Sequence, residues 1–572
     1  MKNKSILVIF GKELPKKNKR WFARFDEVLS PKEVQELTDP GSIQEACQLV
    51  GNLSRLTLPD GSRLPKMINY RGYELWWMHY DKFMDSFCLP YTQYSRLLSY
   101  LKDFDKAYLY RAPYPSLFQY FLRVHNRECH ILNKSRFRKL IPIPIGVLAQ
   151  VIISLPFLLW LKITRPKLMV FISDQFDLIH PPHDYDFRFR HIYEELREKK
   201  IPFVEFIRSQ ESLLTILKHA WRRKRPVVYS TAVIAFLYVL ASCFQKKQEK
   251  KMIDLSLSSG SNPEERFWFL AATHRLHNLK GTIWSIRAME FILRWIGTRA
   301  AIIPASTSRT LHEILACKLN GIKTVGIQHG LMPRYYVVYE FMPGFDGRLT
   351  LTTDMYGLWS DWWREYFIAN SRAYRPEQLF VSGHMRPLRS APPGVSRYCA
   401  APGGKQPIKV LFMADQLADP HEVIPYFLAL LGKKEFSVYV KFRAYRDIFE
   451  DWLKENQPQL LEKMKVIRGD IHEAISRCDV AVGCHSTGVL ESVMQFKPFV
   501  FFRTGKWGDY FDIKSFDSGH RFFAENPSEL LDKIRKSREI PKEVLMGLRE
   551  KYFGDPHRNG SKWVVDQAVK FL

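Results

Sequence analysis

Short apolar runs rich in β-branched residues alternate with longer helical stretches along most of the chain. Strands that are apolar throughout and separated by helices are typical of parallel sheets covered on both faces, so the pattern predicts an α/β fold. Helices are predicted between many of the strands, as at Ser308–Leu319 and Gly488–Phe496. The predicted strands are Ser5–Phe10, Lys106–Arg111, Leu168–Ser173, Phe203–Ile207, Val227–Ser230, Ala300–Pro304, Lys323–Gln328, Leu379–Ser382, Lys409–Met413, Ser437–Phe442, Lys465–Arg468, Val480–Gly483 and Phe499–Arg503.

A stretch dense in proline, glycine and alanine, residues 389–407, interrupts this alternation. Such a composition is typical of an interdomain linker. It divides the chain into a large first domain, residues 1–388, and a compact second domain, residues 408–545. Each is predicted to be a Rossmann-like, doubly wound unit. Two such units facing each other across a cleft suggest a nucleotide-dependent enzyme.

Two apolar runs raise the question of membrane contact. Residues 140–161 carry no charged side chain and are flanked on both sides by lysine and arginine. Their length suits a membrane span, whereas their three prolines and basic flanks also suit a helix in the membrane interface or a buried helix of a large domain. Residues 227–244 are better explained as a buried parallel strand followed by a helix from about Ala232.

The net charge of +27 follows from 86 Lys and Arg against 59 Asp and Glu. A charge of this size indicates nucleic acid, an anionic membrane or phosphorylated substrates as partners. No zinc-finger, homeodomain, RNP or KH pattern is present, and the aromatic stretch 70–87 holds few basic residues, so nucleic acid is not expected. Basic clusters instead flank the apolar runs, which favours an anionic membrane surface.

The cysteines and the N-terminus indicate the compartment. Eight cysteines form no CxxC pair, which argues against a disulfide framework and a structural zinc site. The apolar stretch before Gly11 is too short for a signal peptide. We therefore expect a cytoplasmic protein, held at the inner face of the cell membrane by its basic clusters.

The segment with the strongest chemical signal is residues 478–502. The turn at 484–488 follows a predicted strand and opens a helix, where small hydroxyl residues and a glycine expose backbone N–H groups to a diphosphate. Glu491 lies one turn into that helix, within reach of a ribose hydroxyl. The alternative is an ordinary capped helix in which Ser486 or Thr487 is the N-cap and Glu491 completes a capping box.

Another candidate turn, Gln328-His329-Gly330, follows a predicted strand of the first domain. The glycine lets the backbone approach a ligand, and His329 has the chemistry of a hydrogen-bond donor or general acid. The alternative is a histidine that is satisfied within a tight turn.

Residues 173–186 concentrate Asp and His side chains after another predicted strand. An inverting transferase needs a base to deprotonate the acceptor hydroxyl, and Asp174 is the leading candidate, with His183 second. The alternative is an Asp-rich loop that caps the helix from about Phe187.

Three motifs in order carry a family resemblance: G-I-Q-H-G at 326–330, S-G-H-M-R at 382–386, and C-D-V-x-V-x-x-H-S-T-G-x-x-E-x-x-x-x-x-K-P at 478–498. In these the chain resembles bacterial GT-B glycosyltransferases of capsule and surface-polysaccharide synthesis, a group related in pattern to the CDP-glycerol glycerophosphotransferases. The C-H-S-T turn departs from the D-Y-S-S turn of the latter, which favours a nucleotide sugar as donor.

The resemblance implies a GT-B fold in which residues 546–572 form a C-terminal helix that packs back on the first domain. It also implies that Ser486, Thr487 and Gly488 hold the donor phosphates and that Glu491 binds the ribose. Implied to lie in or near the same donor cleft are Gln328, Gly330, Gly383, Arg386, Lys441, Arg443 and His485, with His329 joining Asp174 and His183 as a catalytic candidate.

The sequence thus predicts an inverting glycosyltransferase that moves a sugar from a nucleotide-sugar donor to a lipid-linked or growing surface polysaccharide. No metal or other cofactor is expected, because helix dipoles and Lys or Arg side chains stabilise a leaving diphosphate. Two alternatives stay open. One is a CDP-glycerol-type glycerophosphotransferase, and the other is a non-catalytic, membrane-associated component of a polysaccharide assembly complex.

Overall fold

The computed structural model describes residues 4–10, 23–57, 61, 63–67, 69–112, 119, 121–122, 125, 128–132, 145–172, 189–207, 227–230, 232–236, 265, 267–268, 271, 279–303, 311–330, 345, 352–386, 407–414, 418–443, 447–517 and 519–572. Within these ranges the strands form three parallel sheets of four, seven and six strands and one short antiparallel hairpin. The α/β fold class is therefore confirmed. Each strand predicted from the apolar pattern is present, within a few residues of its predicted bounds.

The N-terminal sheet contains the first parallel strands of the chain. In spatial order these are Glu27–Leu29, Ser5–Ile9, Lys106–Tyr110 and Glu128–Ile131. The aromatic stretch 70–87 belongs to the core beside this sheet, where Trp76 and Trp77 are 3% and 0% exposed. The short strands Asn69–Tyr70 and Tyr73–Glu74 form the hairpin. The helices of this part are Pro31–Thr38, Ser42–Leu53, Leu64–Met67, Leu75–Met78, Tyr80–Phe83, Met84–Cys88 and Leu89–Leu101.

The central sheet has seven parallel strands and is doubly wound, because it grows in both directions from Leu168–Ile172. Its spatial order is Leu379–Val381, Met355–Leu358, Lys323–Ile327, Ala300–Ile302, Leu168–Ile172, Phe203–Ile207 and Val227–Tyr229. The run at 227–244 therefore begins as the parallel strand expected, while residues 237–244 lie outside the described part. The helices here are Ile145–Thr164, Arg190–Glu198, Leu279–Ile296, Leu311–Leu319, Asp361–Asn370 and Pro376–Gln378.

The C-terminal sheet has six parallel strands in the order Lys465–Val466, Phe436–Val440, Ile408–Met413, Val480–Gly483, Phe499–Phe502 and Phe523–Ala524. Numbered along the chain, this is the 3-2-1-4-5-6 order of a doubly wound nucleotide-binding fold. Its helices are Pro420–Leu431, Ile448–Asn456, Pro458–Lys463, Ile471–Ser476, Thr487–Leu490, Glu491–Gln495, Ile513–Phe516, Pro527–Lys536, Ser537–Glu539 and Lys542–Phe553.

Side-chain caps fix where several of these helices begin. Asp419 and Asp470 each accept a hydrogen bond from a backbone N–H in the first turn of the helix that follows them, at 2.8 Å in both cases. Such caps satisfy N–H groups that have no partner inside the helix. They fix the starts of Pro420–Leu431 and Ile471–Ser476, the helices that come after the strands Ile408–Met413 and Lys465–Val466 of the C-terminal sheet.

The last helix, Gly560–Val569, returns to the central sheet. Val564, Val565 and Ala568 are fully buried in one core cluster with residues of the central strands. Two turns meet at the crossing: Ser561 donates to the Met385 carbonyl at 2.6 Å, and the Gly560 N–H donates to the His384 carbonyl at 3.0 Å. Two doubly wound parallel sheets joined by a C-terminal helix that crosses back form the GT-B arrangement. Among the described residues, no helix combines the length and apolar character that crossing a membrane requires.

Candidate functional site

The crevice at the centre of the C-terminal sheet is the natural place for a ligand. The sheet grows in opposite directions from Ile408–Met413 and Val480–Gly483, and ligands of doubly wound sheets bind outside the carboxyl ends of such neighbouring strands. These two strands approach closely, since a Cβ on Gly483 would lie 2.4 Å from the Met413 carbonyl oxygen. The predicted phosphate turn, residues 484–488, begins at this point.

Ser486 opens the helix that follows, because its Oγ accepts from the Gly488 N–H at 3.3 Å. This is the N-cap that the sequence left open as an alternative. The capping box is not formed, since Glu491 lies beyond the third helical position. Its carboxylate turns instead toward the first domain.

Glu491 and Arg386 form an ion pair between the second domain and the end of the central sheet. Arg386 Nη1 donates to both carboxylate oxygens of Glu491, at 2.8 and 3.1 Å. The side chains are 5% exposed for Glu491 and 24% for Arg386. His472 Nε2 lies 3.6 Å from the same carboxylate. Burial raises the pKa of Glu491, but Arg386, His472 and His384 outweigh it, so the pKa lies below its usual value.

His384 holds the backbone of Arg386 in place. The Arg386 N–H donates to His384 Nδ1 at 3.2 Å. The imidazole packs edge-on against the rings of Trp359 and Phe553, with ring centres 4.4 and 5.3 Å apart. Complete burial lowers the pKa of His384 to about 4. A neutral imidazole is therefore built into the floor beneath Arg386.

The predicted turn Gln328-His329-Gly330 lies on the opposite wall. Gln328 is fully buried, and its side chain donates to the Gly330 carbonyl at 3.1 Å and accepts from the Trp359 N–H at 3.2 Å. These bonds shape the turn, so the amide does not face the crevice with free polar atoms. Gly330 reaches across the crevice, since a Cβ on it would lie 3.4 Å from Thr487 Oγ1.

Lys441 and Arg443 follow a neighbouring strand of the C-terminal sheet. Lys441 Nζ donates to the Gly469 carbonyl at 2.7 Å, and burial lowers its pKa. The Arg443 N–H donates to Asp447 at 2.8 Å. Lys441 is thus tied to the turn that leads into the helix bearing His472, on the same wall of the crevice.

His485 is packed into the second domain. It is 5% exposed, its Nε2 lies 3.0 Å from Thr504 Oγ1, and its ring contacts Tyr510 with centroids 4.9 Å apart. Burial lowers its pKa to about 3. The side chain therefore supports the turn from behind and is held neutral.

Gly383 serves the crossing between the domains. Its φ is +85°, and a Cβ there would lie 2.5 Å from Arg558 Cβ. Only glycine fits at this point without displacing the crossing chain. The catalytic candidates Asp174 and His183 lie outside the described residues.

The structure thus brings together Arg386, Glu491, Gly330 and Thr487 from distant parts of the chain. It also adds His472, which the sequence interpretation missed. The signal for His472 was local: the R-G-D-I-H sequence has a strand end, then Asp470 as a helix cap, so the histidine falls in the first turn of a helix at the sheet's carboxyl edge.

No protein-family model and no curated protein matches the sequence. Similar solved structures include S. aureus MnaA with UDP, at 12% identity, covering 71% of this chain and 96% of that one, with a TM-score of 0.41. MurG of Acinetobacter baumannii is 10% identical, with coverages of 71% and 100% and a TM-score of 0.40. Anabaena HepE in complex with UDP and glucose is 12% identical, with coverages of 71% and 100% and a TM-score of 0.38. Likeness at this level bears on neither activity nor substrate.

Proposed function

We propose that the chain is a GT-B glycosyltransferase that moves a sugar from a nucleotide-sugar donor to a lipid-linked or growing surface polysaccharide. The observation that carries the proposal is the convergence of polar groups from two sheets on one switch-point crevice. Glu491 and His472 lie on helices that follow strands of the C-terminal sheet, and Arg386 and Gly330 lie just beyond strands of the central sheet.

In this proposal the turn at 484–488 and Lys441 face the donor diphosphate, and Glu491 accepts from a ribose hydroxyl. Arg386 keeps Glu491 ionised and oriented, because its guanidinium already occupies both oxygens from one side. A ribose hydroxyl then donates to the remaining lone pairs of the same carboxylate. His472, beside this carboxylate, faces the negative charge of the donor phosphates.

The chemistry is a direct displacement. The oxygen of the acceptor hydroxyl bonds to the anomeric carbon, the bond from that carbon to the diphosphate breaks, and the hydroxyl proton passes to a base. Inversion at the anomeric carbon follows. His329, at the end of a central strand, is a candidate base together with Asp174 and His183. Lys441 and backbone N–H groups stabilise the departing nucleoside diphosphate.

Donor binding tests the proposal and separates its alternatives. Purified protein is titrated calorimetrically with UDP-, GDP-, CMP- and CDP-linked sugars and with CDP-glycerol. We expect one of the nucleoside-diphosphate sugars to bind. Binding of a CMP-linked sugar alone would contradict the diphosphate site, and binding of CDP-glycerol alone would favour the glycerophosphotransferase. A folded protein that binds none of them would favour the non-catalytic assembly component.

A pair of variants places the binding site. Glu491→Gln removes the charge that orients the ribose and should weaken donor affinity by about 10- to 100-fold, as expected for the loss of a charged hydrogen bond. Glu473→Gln is the matched control, because Glu473 is an exposed carboxylate on the neighbouring helix and pairs only with Arg477 among the described residues. Equal affinities for both variants and the wild type would remove Glu491 from the donor site.

A further inference from the structure

The helix Ile145–Thr164 covers the outer edge of the central sheet. Val227–Tyr229 is the edge strand, and the Tyr229 N–H donates to Ser154 Oγ of the helix at 3.0 Å. Val151 and Leu161, on the same side of the helix, are 2% and 1% exposed. One face of the helix is therefore fixed to the protein.

The other face is apolar and exposed. Of the fifteen large hydrophobic side chains that are exposed among the described residues, eight lie on this helix and on its neighbour, Leu279–Ile296. On the first helix all of them except Trp160 recur at steps of three and four residues, which places them along one stripe, and Trp160 follows Leu159 at its edge. We name the set the apolar platform: Leu148 (51%), Ile152 (60%), Leu155 (41%), Leu159 (64%), Trp160 (43%), Ile163 (83%), Phe291 (58%) and Trp295 (39%).

The two helices make this surface continuous. Lys162 Nζ donates to the Trp295 carbonyl at 3.2 Å and lies 4.5 Å from the centre of the Trp295 ring. Trp295 and Phe291 are themselves neighbours, with ring centres 5.9 Å apart. A monomeric soluble protein seldom exposes so many large apolar side chains side by side, and such a patch marks an interaction site.

Basic side chains gather at one end of the platform. Arg165 and Lys167 follow the first helix and Arg299 follows the second, and the Arg299 N–H donates to the Lys167 carbonyl at 2.8 Å. Across residues 145–172 and 279–303 the one acidic residue is Glu290, whose side chain is 9% exposed and already paired with arginines. The platform and its rim are thus apolar and positive.

We propose that the apolar platform docks the protein on an anionic lipid bilayer, with the helix Ile145–Thr164 lying in the plane of the interface. Exposed apolar side chains enter the acyl boundary, tryptophans suit the headgroup level, and lysine and arginine attract anionic lipid. A second copy of the chain is a poorer occupant, because a two-fold interface would bring the same basic rim against itself. The proposal stands on this surface alone and does not depend on the transferase activity.

Vesicle flotation with the full-length protein tests it, using phosphatidylcholine vesicles with and without phosphatidylglycerol. The wild type should float with the anionic vesicles and much less with the neutral ones. Leu159→Gln with Ile163→Gln should lower the partition coefficient by about tenfold or more, because two exposed side chains no longer enter the lipid. The matched control, Leu428→Gln with Ile448→Gln, changes two residues on the second domain that are each 46% exposed, and it should bind as the wild type does.

A charge variant tests the second half of the proposal. Arg165→Gln with Lys167→Gln should reduce binding to anionic vesicles by about tenfold or more and leave neutral vesicles unaffected. Far-ultraviolet circular dichroism checks that each variant is folded. The proposal is overturned if the wild type does not float with anionic vesicles, or if the platform and control variants lose vesicle binding equally. It is also overturned if sedimentation shows a dimer that only the platform variant dissociates.

Discussion

The ion pair between Arg386 and Glu491 links the end of the central sheet to the second domain, and its strength can be measured. Replacing Arg386 with methionine leaves a carboxylate that is 5% exposed and has lost its one guanidinium partner, with the imidazoles of His472, 3.6 Å away, and His384 still beside it. An uncompensated buried charge costs about 3–5 kcal/mol of stability. Replacing Glu491 with glutamine removes the charge but keeps an acceptor beside a more exposed guanidinium, so we expect about 1–2 kcal/mol.

The double variant should cost clearly less than the sum of the single ones, with a coupling energy of about 2 kcal/mol. Pulse proteolysis across a urea series gives the midpoint for the wild type and the three variants. Since the pKa of Glu491 lies below its ordinary value of 4.5, the pair stabilises the fold fully above that pH and loses its effect as the pH falls through the folded-state pKa. The reasoning would be refuted if the two single effects on stability were additive at pH 7, or if the Arg386 variant were no less stable than the Glu491 variant.

Two further predictions concern packing and protonation. Gly383→Ala should lower stability by about 2–4 kcal/mol in the same assay, because a φ of +85° and the contact with Arg558 both oppose a side chain. The control Gly547→Ala, at an open helical position, should raise stability by about 0.5–1 kcal/mol. An equal response of the two glycines would contradict the close approach. Burial holds the pKa of His485 at about 3, whereas its ordinary value is 6.5. Between these two pH values unfolding takes up a proton, so stability is full above pH 6.5 and falls as the pH drops toward 3. His485→Phe should flatten the wild-type decline in this range by about 1.4 kcal/mol per pH unit. Identical profiles for the wild type and this variant would show that His485 is not held neutral.

Most of the strands that the sequence predicted are buried along their length, as Val480–Gly483 and Phe499–Phe502 are. The strand Met355–Leu358 was missed because it contains no β-branched residue and is interrupted by Gly357. The structure shows why it is there: a Cβ on Gly357 would lie 2.7 Å from both Ser382 Oγ and a Trp563 ring carbon. The edge strands Glu27–Leu29 and Glu128–Ile131 were missed because they are short and begin with a charged residue.

The candidate site was predicted in part, for a related reason. Residues at strand ends carry a local signal, and that signal found the turns that hold Gly330 and Thr487. It could not show that the side-chain amide of Gln328 accepts a hydrogen bond from Trp359, which lies 31 positions further along the chain. Nor could local pattern pair Arg386 with Glu491, 105 positions apart; only the family resemblance brought both into one cleft.

The apolar run at 140–161 shows the same limit. A segment that is apolar on every side has no periodicity from which to read a buried face. The structure supplies the missing asymmetry, since Ser154 and Val151 face the sheet edge and Leu159 and Ile163 face outward. The sequence suggested membrane contact for the segment 140–161 as a whole, whereas the proposal from the structure assigns it to the apolar platform.

The leaving group of the reaction tests the central proposal most directly. Purified protein is incubated with the nucleotide donor that binds and with a lipid extract as acceptor, and the released nucleotide is identified by chromatography. A glycosyltransferase breaks the bond between the sugar and the diphosphate, so we predict release of a nucleoside diphosphate in step with incorporation of sugar into lipid, and loss of both in Glu491→Gln. Release of a nucleoside monophosphate with incorporation of an alditol phosphate, or turnover that Glu491→Gln leaves unchanged, would contradict the account.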